Sequence, residues 1–159
     1  MEAIESAIVG SENLTRIFGY WPSFHDAEII DLHLWRGEVD PGRGVFVFPT
    51  LTLTMHVWEL TREVDADGYL ILRHHTLTKL KFHTVFEDIR IEGFNQQNAI
   101  FGLSVTRLER TCGPSPYFSV VMEQACGMGA SFTCMGVEVI QATPCGADGQ
   151  AIPPVGEAP

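Results

Sequence analysis

Basic residues are scarce in this sequence, which has 10 Lys and Arg against 20 Asp and Glu and a net charge of −10. Residues 112–159 contain no lysine or arginine, and residues 69–111 carry only a weak surplus of 6 bases over 4 acids. A protein that binds nucleic acid needs a basic patch to displace counterions from phosphates. We therefore expect no nucleic-acid binding. An acidic surface instead attracts basic partners and raises their association rate.

Long apolar runs and paired cysteines are also missing. No run approaches the roughly 20 residues that span a membrane, and Glu2 and Glu5 stand where a secretory signal has basic residues. None of the four cysteines forms a CxxC pair or has the paired spacing of a zinc site; they are Cys112, Cys126, Cys134 and Cys145. We expect a cytoplasmic protein with free thiols, no membrane contact, no metal and no cofactor.

Helical spacing is confined to residues 2–18, where Ser11 is a candidate N-cap and Gly19 a candidate stop. From residue 27 the apolar period changes to two, and it is clearest at 45–59, where Leu51, Leu53 and Met55 alternate with threonines. The pattern predicts an α+β fold, with an N-terminal helical segment packed on a large, mainly antiparallel meandering sheet of about seven strands.

The length suits one domain, which we assign to residues 1–143. Residues 144–159 are rich in Pro, Gly and Ala, which predicts a disordered tail. Two finer expectations concern strands. A slip in the alternation predicts a bulge near Thr78, and Phe132 to Ala142 is predicted to be one final strand.

The adjacent pair His25-Asp26 is the most suggestive local feature for chemistry. Asp26 could orient His25 as a general base, or both could bind a metal, with His33 and His56 as further ligands beside Asp31 if their strands pair. This is the pattern of a metal-dependent hydrolase. The other interpretation is structural, and the sequence favours it, because no nucleophile motif and no short-range ligand spacing accompany the pair. We therefore expect no enzymatic activity.

Aromatic residues suggest two further kinds of binding. Trp35 and Trp58 lie on the polar sides of their predicted strands, where they would anchor a partner unless the N-terminal helix covers them. A small-molecule binding module is the alternative, with an apolar pocket lined by Phe46, Phe48, Phe101 and Phe118.

Two segments together resemble a known family. Phe18-Gly-Tyr-Trp-Pro-Ser-Phe-His-Asp-Ala-Glu28 is similar to the Trp-Pro-x-Phe-His-Asp signature of the Immunity protein 50 family. The stretch from Leu80 to Gly93-Phe-Asn-Gln-Gln-Asn98 is similar to its second block. Residues that match the family pattern look fold-determining rather than contact-making; they are Trp21, Pro22, Phe24, His25, Asp26, Gly93, Phe94, Asn95 and Asn98.

The resemblance implies an immunity protein of a bacterial polymorphic toxin system, which neutralises a toxin encoded beside it by binding. The acidic charge fits a basic nuclease-type toxin as the partner. The contacts that we predict are the anchors Trp35 and Trp58 with the acids Glu59, Glu63, Asp65, Asp67, Glu87, Asp88 and Glu92. A homodimer also stays open, because exposed sheet edges can pair with a second copy.

Overall fold

The computed structural model describes residues 3–153, which begin with two short helices. A 3-10 helix spans Ile4–Ala7, and α1 spans Glu12–Phe18. Gly19 ends α1 at φ 82°, and its N–H donates to the carbonyl of Thr15, which confirms the predicted stop. Ser11 occupies the N-cap position, but its side chain makes no capping hydrogen bond.

The described residues form ten strands: β1 Glu28–Trp35, β2 Glu38–Asp40, β3 Val45–Val47, β4 Thr50–Val64, β5 Leu70–His83, β6 Phe86–Glu92, β7 Ala99–Leu108, β8 Tyr117–Cys126, β9 Gly129–Cys134 and β10 Gly136–Pro144. Eight of them make one sheet in the order β10-β5-β4-β1-β7-β8-β9-β6, and β2 pairs separately with β3. Every pairing of these strands is antiparallel. The predicted α+β class with a mainly antiparallel sheet is confirmed.

The large sheet folds over, so that its two halves face each other. β1 and β7 are in register only at Glu28 and Ala99, which allows a bend between the halves. β5 passes to β6 through two residues and β9 passes to β10 through Met135 alone, although β6 and β10 lie at opposite edges. Phe82 of β5 meets Phe132 of β9 with ring centroids 5.0 Å apart. The core therefore lies between the halves.

Alternation along β4 supplies much of this core. Leu51, Leu53, Met55 and Val57 are completely buried, while the intervening threonines face outward. Burying each such side chain contributes roughly 1.5–3 kcal/mol relative to leaving it exposed. At the edge of the sheet, the N–H of Val9 donates to the carbonyl of Val137 at 3.0 Å, so the N-terminal segment covers part of β10.

Two predicted details of the strands are wrong. The final strand is divided, because the chain leaves β9 after Cys134 and joins the other half of the sheet from Gly136. β5 itself bulges at His74, where φ is 55° and the register with β4 shifts between Val57 and Glu59. The irregularity near Thr78 belongs to β10, whose register with β5 shifts between Val139 and Gln141. The local apolar pattern does not show where a strand changes partners.

The segment predicted as a tail begins inside the fold. Pro144 is the last residue of β10, and Cys145 forms an isolated bridge with Ala151. Cys145 is buried, and residues 145–151 turn back over the sheet. Residues 154–159 lie outside the described part of the chain. No helix within residues 3–153 is long and apolar enough to cross a membrane.

Candidate protein-binding surface

β4 and β5 extend beyond the strands that flank them. β1 pairs with β4 only as far as His56, and β10 pairs with β5 only as far as Thr76. Beyond these points residues 58–64 of β4 and 70–75 of β5 pair as strands only with each other. We call this two-stranded ribbon, residues 58–75, the arm. All its residues from 62 to 70 are exposed.

One face of the arm is apolar. Leu60 lies directly opposite Leu72, and Val64 lies opposite Leu70. Side chains that face each other across a ladder, or lie two apart in a strand, share a face of the ribbon. We call these four residues the apolar stripe. The exposed fraction is 49% for Leu60, 38% for Leu72, 59% for Val64 and 50% for Leu70. Large apolar side chains grouped in this way are typical of a contact surface.

The four predicted acidic contacts of the arm differ in their surroundings. Glu59 accepts a hydrogen bond from the Tyr20 hydroxyl at 2.6 Å, which raises the pKa of Tyr20. Glu63 pairs with Arg73 at 2.5 Å. Asp65 accepts the N–H groups of residues 67 and 69 at 2.9 and 3.0 Å and so closes the turn. Asp67 is exposed, and its carboxylate has no partner among residues 3–153.

A groove of about 270 Å³ separates the base of the arm from the connection between α1 and β1. It is lined by Phe18, Tyr20, Pro22, Ser23, His25, Trp58, Glu59 and Leu60. The groove brings residues of the first motif beside Trp58 and Glu59, although the two segments are far apart in the sequence. The hydrogen bond from Tyr20 to Glu59 joins its two walls.

His25 and Asp26 form the expected pair on the rim of this groove. Their Nδ1 and Oδ2 atoms are 3.0 Å apart, and the two side chains are 52% and 45% exposed. The N–H of Asp26 donates to the carbonyl of Ile100, and Phe24 before it is buried against Trp21 at 5.4 Å between ring centroids. The pair therefore belongs to a connection that is fastened on both sides to the sheet.

The hypothetical metal site of His33 and His56 is not assembled. His33 lies opposite Thr52 on β4, whereas His56 lies opposite Glu28, which is five residues away along β1 and four along β4. Among residues 3–153 no three His, Cys, Asp or Glu side chains are grouped so that they could hold a metal ion.

The predicted ligand pocket is wrong as well. Phe118 is in the core with 4% exposure, but Phe46, Phe48 and Phe101 are 63%, 62% and 54% exposed. Side chains that are mostly in solvent cannot enclose an apolar ligand.

A histidine pair at the base of the arm was missed by the sequence analysis. The Nε2 atom of His56 is 2.9 Å from the Nδ1 atom of His75, and Trp58 packs against both rings. Burial lowers the pKa of both histidines, and for His56 the neighbouring His75 lowers it further while Asp148 opposes the shift. The sequence does not predict this pair, because the segment that covers the two histidines is residues 145–151, which we expected to be a tail.

The second motif forms a tight turn around Asn98. The Asn98 side chain is buried, accepts the N–H of Asn95 at 2.8 Å and donates to the carbonyls of Asn95 and Ile29 at 2.6 and 3.4 Å. Gly93 has φ 71°, and a Cβ there would lie 2.3 Å from the carbonyl oxygen of Gly127. Phe94 beside them is 50% exposed. Asn98, the residue before β7, therefore ties this turn to Ile29 of β1, and Gly93 lets the turn approach Gly127.

The remaining predicted contacts do not lie on the arm. β5 has 14 residues, so its two ends are roughly 40 Å apart. Glu87 and Asp88 follow its distal end, and Glu87 pairs with Arg110 at 3.0 Å. Trp35 lies opposite Thr50 at the same end, whereas Glu92 is at the far end of β6, opposite Gly129. The predicted acids therefore do not form one continuous patch.

Comparison with known proteins identifies the family. No curated protein and no solved structure matches the sequence significantly. The model of the family described as Immunity protein 50 matches residues 10–145, which include both motif segments and most of the chain. The chain therefore belongs to the Immunity protein 50 family.

Proposed function

We propose that this protein neutralises a cognate bacterial toxin by forming a stoichiometric complex with it, through an acidic surface and without catalysis. Membership of an immunity protein family implies a toxin as the partner. The exposure of the predicted acids supports an acidic binding surface in a chain of net charge −10. The exposed acids are Glu63, Asp65, Asp67, Glu87, Asp88 and Glu92.

The physical effect of such a surface is on the encounter between the partners. Negative potential around the inhibitor draws in a basic toxin and raises the association rate, and added salt screens this attraction over a distance of about 10 Å at 0.1 M. A toxin that acts on nucleic acid carries a basic cleft, so a basic nuclease-type toxin is the partner we propose. An acidic inhibitor covers that cleft by presenting charge of the same sign as phosphate.

The first experiment co-expresses this chain with the toxin domain encoded by the neighbouring reading frame. We expect restored growth of cells that the toxin otherwise kills, and a one-to-one complex by size-exclusion chromatography with light scattering. Toxicity that persists beside a well-expressed chain, with no complex, would contradict neutralisation by binding.

The second experiment tests the role of charge with two variants that remove the same number of negative charges. D67N/D88N/E92Q removes three exposed acids of the predicted contact set, and E12Q/D31N/E123Q removes three exposed acids outside it. We expect the first variant to associate several-fold more slowly than the second at low salt, with a weaker dependence of the rate on salt. Equal rates for both would remove the acidic surface from the proposal and leave stoichiometric binding.

A further inference from the structure

The structure assigns a specific element to this interface: we infer that the apolar stripe of the arm (Leu60, Val64, Leu70 and Leu72) docks into a toxin surface with an apolar floor and basic surroundings. The inference rests on the proposed function and specifies which part of the chain meets the toxin. It assigns the interface to the arm and not to the acids near the distal end of β5.

Burial in the core does not explain the apolar side chains of the stripe. No residue of the arm belongs to the buried core. A two-stranded ribbon by itself is marginally stable in water. A ribbon that needed only to be soluble would carry polar side chains on both faces, yet this one carries four exposed aliphatic residues on one face and Tyr69, 72% exposed, at its tip.

The charge of the arm complements that of a basic partner. Residues 59–73 contain four acids and two arginines, and Arg73 is already paired with Glu63. Asp65 and Asp67 lie at the turn, and residues 59–73 carry a net charge of −2, so the arm combines an apolar stripe with an acidic balance of charge. Protein interfaces have this arrangement, in which an apolar centre is dehydrated on binding and a polar rim stays in contact with water. The surface that fits it has an apolar centre and a basic border.

The apolar stripe is continuous with the groove at the base of the arm. Leu60 belongs both to the stripe and to the groove, whose walls include Tyr20, His25 and Trp58. Tyrosine and tryptophan are the side chains that most often contribute large binding energies. A standard interface needs about 800 Å² and 20–30 residues from each partner. The arm has 18 residues, and the groove adds five more from the end of α1 and the connection to β1, so that together they reach the number of residues that such an interface uses.

One other exposed apolar ribbon competes with the arm. On the hairpin of β2 and β3, Val39 lies opposite Phe46, and these side chains are 58% and 63% exposed. Its two acids, Glu38 and Asp40, both pair with Arg43 at 2.6 Å. This hairpin therefore has the apolar residues, but its net charge of −1 is smaller than the −2 of residues 59–73. It is the matched control for the arm.

The experiment compares L60S/L72S with V39S/F46S, since each replaces one exposed apolar cross-strand pair on a two-stranded ribbon. The probe is the purified toxin domain encoded by the neighbouring reading frame, in a catalytically inactive form. Binding is measured by calorimetry or surface plasmon resonance on the full chain. We expect the Kd of L60S/L72S to rise at least about 30-fold and that of V39S/F46S to change less than about threefold.

A second measurement makes no use of variants and guards against local unfolding of the arm. Amide hydrogen exchange of the wild-type chain, free and in complex, should slow in residues 58–75 on binding and stay unchanged in residues 38–47. Light scattering of the free chain and of L60S/L72S shows whether the stripe instead joins two copies.

Each outcome decides between the proposals. A complex that L60S/L72S leaves intact, or protection confined to residues outside 58–75, would overturn the inference while neutralisation by binding stands. A free dimer that L60S/L72S converts to a monomer would assign the stripe to self-association and overturn it too. If the wild-type chain does not bind the toxin domain at all, the proposed function fails, and this inference fails with it.

Discussion

The hairpin of β4 and β5 contains two regions with the same alternating sequence and opposite surroundings. In the body of the hairpin, residues 50–57 and 76–83, both strands have a neighbour on each side, and one face is completely buried. In the arm the strands pair only with each other, all residues from 62 to 70 are exposed, and the apolar stripe lies in solvent. Apolar side chains stabilise the fold in the first region and are free to bind a partner in the second.

The comparison shows that an alternating pattern identifies the face of a strand but not what covers it. Leu53 and Leu60 lie on one strand and are both leucine, yet the first is completely buried and the second is 49% exposed. Their roles differ because β1 ends beside His56. The following four predictions test this division, beginning with the largest effect.

Phe82→Ala in the body should lower the free energy of unfolding by about 3–5 kcal/mol, because it removes a fully buried ring and leaves a cavity beside Phe132. Urea unfolding followed by fluorescence measures the loss. Phe48→Ala is the control, since the ring of Phe48 is 62% exposed. Similar losses for the two variants would contradict the placement of the core between the sheet halves.

Asn98→Ala should cost about 1–3 kcal/mol, because it leaves the N–H of Asn95 and the carbonyl of Ile29 without the buried amide that they contact. The turn fastens β7 to β1, which flanks the body of the hairpin. Gln96→Ala in the same turn is exposed and should change stability by no more than about 0.5 kcal/mol. Equal values by thermal or urea unfolding would argue against a fold-determining role for the motif asparagine.

The boundary between the body and the arm should respond to pH through His56 and His75. Both pKa values are lowered in the folded chain, chiefly by burial. The unfolded chain therefore binds more protons than the folded chain once the pH falls below the ordinary histidine pKa of about 6.5. Stability is therefore complete above that pH, declines as the pH falls through it, and stops declining below the folded-state pKa values.

Urea unfolding at pH about 7.5 and about 5.5 measures this decline. His75→Gln should make it shallower, whereas His33→Gln, at an exposed position of β1, should leave it unchanged. A decline of the wild-type size in His75→Gln would show that other groups cause it.

Leu72→Ala in the arm should have the smallest effect on stability, no more than about 0.5 kcal/mol, because the side chain contributes to no buried cluster. The same urea experiment measures it beside Leu80→Ala, which empties a fully buried position of the same strand and should cost about 2–5 kcal/mol. A loss in Leu72→Ala close to that in Leu80→Ala would mean that the arm is part of the cooperative core.

Local features of the fold were predictable where local chemistry determines them. Gly19 ends α1 because it adopts a left-handed conformation, and the leucines of β4 point inward because the sequence alternates. The division after Cys134 was not predictable, because the change of partner strand depends on residues far along the chain. The position of the bulge in β5 was also missed, and there the two residues His74 and His75 lie opposite the single residue Trp58.

The candidate surface was predictable in part. Trp58, Glu59, Glu63, Asp65 and Asp67 were chosen from the sequence, and all lie on the arm. The leucines of the stripe were not chosen, because they resemble core positions until the lengths of β1 and β10 are known. The groove was missed for a similar reason, as its walls are the first motif and a segment about 35 residues later, joined only in the folded chain.

The single-residue connection from β9 to β10 has a consequence for how the chain reaches its native state. β10 pairs with β5, and Val137 lies opposite Phe82. The edge of β5 therefore stays uncovered until β10 has formed. Contacts between such distant segments slow folding, to milliseconds or seconds in sheet proteins. During synthesis β5 emerges well before its partner, and an uncovered apolar strand edge can pair with other chains. Substitutions in β10 should therefore reduce the yield of folded protein in cells more than their effect on equilibrium stability would indicate.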